Sequence, residues 1–258
     1  MKKITVHKRN EFIRGGDEYS LLAKRAMNTI YWAYQKHNLY KYDKVPISFA
    51  TLRKMMNLES NNDYVEDIKS ALKELKKDIE LNNFYHPIAE EEYQWYLTSF
   101  INNAGFRKDS NSEWVVDVEV GNLTKYIMQL DNDKGQGFTM LELAPYLNKF
   151  RTKYAMKLYE YLKSFGAYSY INITQKHMMK LLVLDEKSKY RYMSDLTILV
   201  ERQLKEIAKK SDLTEVKLIK SKTLAKDKIF KIIINPKSKK TVDKIEAKTA
   251  LDNLIKRF

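Results

Sequence analysis

The chain has 258 residues, 44% hydrophobic and 12% aromatic, with 47 Lys and Arg against 33 Asp and Glu, a formal charge of +14. Its 18 Tyr, 10 Phe and 3 Trp exclude a disordered basic tail, and the absence of cysteine excludes disulfides, thiolate metal sites and cysteine nucleophiles. The longest apolar runs, such as Leu181–Leu184 and Ile232–Ile234, fall far short of the ~20 residues that span a bilayer, so no membrane partner is expected.

The N-terminal stretch Met1 to Arg9 is basic and lacks the apolar core of a signal peptide, so the protein is read as cytoplasmic. With 7 Gly and 4 Pro among many Lys, Leu, Glu and Met, the composition favours a helix-rich fold with short loops. Tyr19 to His37 reads as a helix, with Leu22, Ala26, Ile30, Ala33 and Tyr34 at helical spacing. Val45-Pro46-Ile47 is a short strand, and Ser48 is a good N-cap for a helix carrying Leu52, Met55 and Met56. Asn61-Asn62 opens a third helix with Tyr64, Val65, Ile68, Ala71, Leu72, Leu75 and Ile79 on one face. Strand-like stretches follow at Phe84-Tyr85, 93–101 and 113–120, with a hairpin turn around Lys108 to Ser112.

The same order then recurs. Tyr154 to Phe165 reads as a helix, Tyr170 to Ile173 as a strand, and Thr174 as the cap of a helix bearing Met178, Leu181 and Leu182. A short loop leads into a long helix over 189–210, and two strands, 214–220 and 228–234, flank a basic turn. Ile47-Ser48 matches Ile173-Thr174, Leu52 matches Met178, Met55-Met56 matches Leu181-Leu182, and Tyr64 matches Tyr190, all 126 residues apart. Helix, strand, helix, helix, hairpin is the order of a winged helix. The expected fold is therefore α+β and helix-rich, with two tandem winged-helix domains related by internal duplication. Their expected bounds are 1–149 and 150–236, followed by a basic tail, 237–258, that reads as a possible amphipathic helix docked through Ile245, Leu251, Leu254, Ile255 and Phe258.

The charge is divided unequally between the copies. Residues 1–149 carry 21 basic and 21 acidic side chains, and residues 150–258 carry the remaining 26 and 12. Such asymmetry points to a polyanion partner for the second half. In a winged helix the third helix fits the major groove, while hairpin cations meet flanking phosphates. Double-stranded DNA is therefore the expected partner. The candidate contacts around the third helix are Lys187, Lys189, Arg191, Ser194, Arg202 and Lys205. Those of the hairpin are Lys217, Lys220, Lys222, Lys226 and Lys228. Arg191 suits bidentate guanine readout best. Six to eight phosphate contacts imply a log–log salt slope of roughly −5 to −7.

In the first copy only Arg53 and Lys54 offer a weak DNA contact, because its third helix alternates acids with lysines. Its hairpin carries Tyr93, Trp95, Tyr96, Phe100 and Trp114, either as ordinary core or as a surface for another protein or a second copy of the chain.

No catalytic constellation is expected. There is no Gly-rich phosphate loop followed by Lys and Ser or Thr, and the histidines His7, His37, His86 and His177 are scattered. Asp131 and Asp133 lie in a polar loop that lacks the ligand spacing of a calcium site. Neither a cofactor nor a metal is expected.

The run from Phe150 to Phe165, with Thr152, Tyr154-Ala155 and Leu158-Tyr159-Glu160-Tyr161-Leu162-Lys163, resembles the plasmid replication initiators that bind iterons. Tyr190, the segment Leu204-Lys205-Glu206-Ile207, Ser211-Asp212-Leu213 and the strand Phe230 to Ile234 are also similar to that family. The resemblance covers residues 4–236 and is strongest in the second module. It implies binding to tandem direct repeats at a plasmid origin, melting of adjacent AT-rich DNA, and recruitment of a host helicase and host initiator. It also implies dimers through the first module that repress initiation or the protein's own gene. One departure stands out: where relatives carry arginines early in the second recognition helix, this chain has Thr197-Ile198-Leu199. The competing reading is a transcriptional regulator with duplicated winged helices, and a nicking or recombining enzyme is a third.

Overall fold

The computed structural model describes residues 4–14, 18–37, 44–86, 88–128, 138–144, 147–185, 187–220 and 229–234. The chain divides into two units, one of residues 1–12 and 19–149 and the other of residues 13–18 and 150–258. In chain order the first unit holds β1 (Ile4–Arg9), the start of α1 (Asn10–Arg14), α2 (Leu21–His37), β2 (Val45–Ser48), α3 (Phe49–Met55) and α4 (Tyr64–Leu75). These are followed by β3 (Ile79–His86), β4 (Glu91–Thr98), β5 (Ile101–Lys108), β6 (Trp114–Val120), α5 (Asn122–Met128) and β7 (Phe138–Ala144). The second unit holds α6 (Lys153–Lys163), β8 (Tyr170–Thr174), α7 (Gln175–Leu182), α8 (Met193–Lys210), β9 (Lys217–Lys220) and β10 (Ile229–Ile233).

The repeat seen in the sequence is a repeat of topology. In the second unit the antiparallel sheet runs β8-β10-β9, with the strand before the helix pair on one edge and the last wing strand in the middle. In the first unit the sheet runs β2-β6-β5 in the same sense. The first unit adds a hairpin, β3-β4, between its third helix and its wing, and a separate two-stranded sheet, β1-β7. Each unit is thus a winged helix.

Local chemistry repeats with the topology. Ser48 caps α3 by accepting from the Thr51 amide at 3.1 Å, and Thr174 caps α7 by accepting from the His177 amide at 3.2 Å. Both helices end alike. The Leu58 amide donates to the Arg53 carbonyl at 2.8 Å, and the Leu184 amide donates to the Met179 carbonyl at 3.0 Å. The residue within each of these caps, Asn57 or Val183, is left-handed, with φ of 60° and 50°. Asparagine tolerates that conformation, whereas β-branched valine is strained in it.

The cores follow the predicted stripes. Leu52, Met55 and Met56 are buried on and just beyond α3, as are Met178, Leu181 and Leu182 on α7. On α8 the buried stripe is Leu196, Leu199, Val200, Leu204 and Ile207. The residues behind the family resemblance prove to be scaffold. Tyr159, fully buried on α6, donates its hydroxyl to Asp212 at 2.9 Å, and Lys163 pairs with the same carboxylate at 2.5 Å. Thr152 caps α6 and donates to Gln203 at 2.6 Å, tying that cap to α8.

Four sequence expectations are corrected. The stretch 93–101 is not one strand: β4 ends at Thr98 and β5 begins at Ile101, with Phe100 buried between them. The cap of α4 is Asp63, and Asn61 instead bonds Asp67 and the Asp63 amide. The helix expected over 189–210 is broken into a short 3-10 helix, Lys189–Arg191, and α8 proper. Residues 13–18 group with the second unit rather than with 1–149. The C-terminal tail and the loop of Asp131 and Asp133 lie outside the described residues.

Candidate nucleic-acid interface

The break before α8 positions the first cations. Tyr192 takes an extended conformation, with φ −84° and ψ 133°, and separates the 3-10 turn from the helix. The turn is held from α7, and the loop before it closes on Asp185. Gln175 on α7 donates its side-chain amide to the Arg191 carbonyl at 2.7 Å, and the Lys187 amide donates to Asp185 at 2.8 Å. Arg191 therefore lies ahead of α8 rather than in its first turn. Its guanidinium carbon sits 4.8 Å from the centre of the Tyr192 ring, and one of its nitrogens donates to the Tyr192 hydroxyl at 2.7 Å. Lys189 packs in the same manner over Tyr190, at 5.2 Å. Each stacking ring restrains a long cationic side chain and leaves charge on the surface.

On α8 the predicted contacts fall on one face. Ser194, Arg202 and Lys205 are exposed on α8, and so is Lys209. At 100° per residue these four side chains span an arc of about 80°, opposite the buried stripe. Asp195 and Glu201 flank this arc. Lys217 is exposed on β9, with its Cα opposite Ile233, and Lys220 stands opposite Phe230. Lys222, Lys226 and Lys228 lie outside the described residues.

Two features of this surface were not evident from the sequence. Lys176 and Lys180 are exposed on α7, so the helix preceding α8 also carries charge. Their spacing within the capped helix was a usable signal. Ile198 is 65% exposed at the middle of the α8 face. It falls outside the predicted apolar stripe, which was the available clue.

The cations of the first unit are differently engaged. Arg53 donates to the carbonyls of Leu58 (3.3 Å) and Glu59 (2.8 Å) and stacks on Tyr64 at 4.5 Å. Its guanidinium braces the turn after α3. Lys54 is exposed beside it. On the wing, Arg107 forms two bonds to Asp117, at 2.5 and 3.1 Å, and this carboxylate holds its pKa above the ordinary arginine value. Lys108 lies over Trp114 at 5.7 Å. The exposed large apolar side chains of this unit include Ile88, Trp95, Leu97 and Trp114.

Among the described residues no group of three or more His, Asp or Glu could hold a metal ion, and no helix is long and apolar enough to cross a membrane.

Fold and surface together define a protein of two tandem winged helices, the second bearing a cationic face on its third helix. Residues 5–163 match the family described as "Initiator Replication protein, WH1", and the chain belongs to that family. The match runs through the first unit and into α6. The fold is shared with a solved structure described as "Pi initiator protein in complex with iteron DNA", at 18% identity and a TM-score of 0.68, covering 91% of this chain and 99% of that one. A weaker likeness is to domains 2 and 3 of RctB, at 12% identity and a TM-score of 0.49, covering 83% of this chain and 82% of that one. No curated protein matches the chain.

Proposed function

We propose that this protein is a plasmid replication initiator that binds tandem direct repeats, iterons, at its origin. Membership of the initiator family supports the reading, and a fold shared along nearly the whole chain with an initiator solved on iteron DNA carries it. The second unit docks α8 in the major groove. Lys187, Lys189 and Arg191 enter from the preceding turn, and Arg202 and Lys205 lie along the helix. The wing strands, with Lys217 and Lys220, meet phosphates at the flank. Bound copies promote opening of adjacent AT-rich DNA and recruit a host initiator and helicase. In this role the chain performs no catalytic step of its own and acts in the cytoplasm.

The first unit serves protein contacts, including dimers that repress initiation or the protein's own gene. Two observations support this role: its exposed Trp95 and Leu97, and the intramolecular engagement of Arg53 and Arg107. The deciding experiment is binding of the purified full chain to the DNA beside its gene. Several footprints at direct repeats next to AT-rich sequence are expected. A single footprint on an inverted repeat at a promoter would instead identify a transcriptional regulator. A nicked or covalently attached product with a divalent metal would identify an enzyme.

A further inference from the structure

We infer that Ile198 is a specificity-determining residue that reads the methyl group of a thymine in the major groove. The inference rests on the proposed docking of α8. Ile198 is the most exposed of the large apolar side chains described, at 65%. It owes nothing to the core, because α8 buries Leu196, Leu199, Val200, Leu204 and Ile207 on its other side. It sits in the middle of the exposed arc, one turn after Ser194 and one turn before Arg202. Isoleucine at an exposed helix position costs helix propensity relative to the straight-chain polar residues around it. The neighbours on the face are Ser194, Asp195, Glu201, Arg202 and Lys205, so the side chain stands singly and builds no apolar patch of the size that protein interfaces use.

Against a groove of base edges that surface has one complementary feature. Among the four bases only thymine presents an apolar group in the major groove, its C5 methyl. A β-branched side chain on a helix holds largely one χ1 rotamer, so its branching methyl is presented at a fixed place. Flanking polar and cationic groups hold the helix in register, while Ile198 separates thymine from cytosine at one base pair.

The test uses the full chain and a library of randomised duplexes, from which bound sequences are enriched to a consensus. Each thymine of that consensus is then replaced singly by deoxyuridine, which removes the methyl and keeps every hydrogen-bonding group. One position is expected at which methyl loss weakens the wild type roughly three- to fivefold, the worth of burying one methyl. Ile198→Ala is expected to bind the thymine and uracil duplexes alike at that position, and Ile198→Val to retain most of the discrimination. Alanine is the better helix former and the site is exposed, so folding is not at stake. Equal responses of wild type and I198A to every uracil overturn the inference and leave the initiator reading standing. So does a uniform loss by I198A on all duplexes, which would assign the residue to contacts between neighbouring copies. Failure to enrich any consensus overturns both.

Discussion

Replacing Arg202 and Lys205 together by alanine should flatten the salt dependence of DNA binding. On α7, the turn before α8, α8 itself and β9, nine cations stand exposed: Lys176, Lys180, Lys187, Lys189, Arg191, Arg202, Lys205, Lys209 and Lys217. Curvature of the duplex keeps some of them from phosphate, so six to eight contacts are taken. At ~0.9 per phosphate the wild-type slope is roughly −5 to −7, and raising salt from 50 to 200 mM weakens binding about 10³- to 10⁴-fold. Losing two phosphate contacts should reduce the slope by about 1.8 and shrink that fall by about tenfold. The assay is fluorescence anisotropy on a labelled duplex of arbitrary sequence at five salt concentrations, because the phosphate contribution is independent of sequence. Lys73 and Lys77, exposed on and just beyond α4 in the first unit, are the control pair. If their double replacement changes the slope as much, or if the slope of the Arg202/Lys205 variant is unchanged, the placement of phosphate contacts on α8 is refuted.

Arg191→Ala should weaken specific binding by ~1–3 kcal/mol and relax sequence preference, and an equal loss on random duplex would make Arg191 a phosphate contact. Val183→Asn should raise stability by about 1 kcal/mol in urea unfolding, because asparagine relieves the left-handed strain at φ 50°; no gain would show that the valine packs well enough to offset it. Ser48→Ala and Thr174→Ala should each cost about 1 kcal/mol, the worth of an N-cap, and a clear inequality would mean that the two helix pairs are not supported alike. Arg53→Ala should lower the melting temperature while leaving the salt slope intact, since its guanidinium serves the carbonyls of Leu58 and Glu59; a changed slope would return Arg53 to the DNA contacts.

A cleavage at residue 149 would strip the second unit of residues 13–18, which group with it. Ile13 is buried, and Arg14 stacks on Phe165 at 4.1 Å and bonds the Ser164 carbonyl at 3.0 Å. Division of labour between the units is therefore better measured by substitutions in the full chain than by fragments.

Much of this protein was legible from its residues because the deciding physics is local. An N-cap needs only a hydroxyl three residues before an amide, so Ser48 and Thr174 announced two helices and, by their spacing, a duplication. Helical periodicity separated Leu196, Leu199, Val200, Leu204 and Ile207 from the rest of α8, and simple counting placed all the excess charge after residue 149. Other features depend on groups far apart in the chain, and tertiary structure alone decided them. Strand β1 pairs with β7 across some 130 residues, and no local pattern encodes such a partner. Helix α8 begins at Met193 rather than Lys189 because Gln175, on another helix, holds the Arg191 carbonyl and Tyr192 turns extended. That displacement moves Arg191 from the helix onto the turn and leaves Ile198 at the centre of the exposed face. The +14 charge says only which half of the chain carries the excess; packing decides which of those side chains are turned outward.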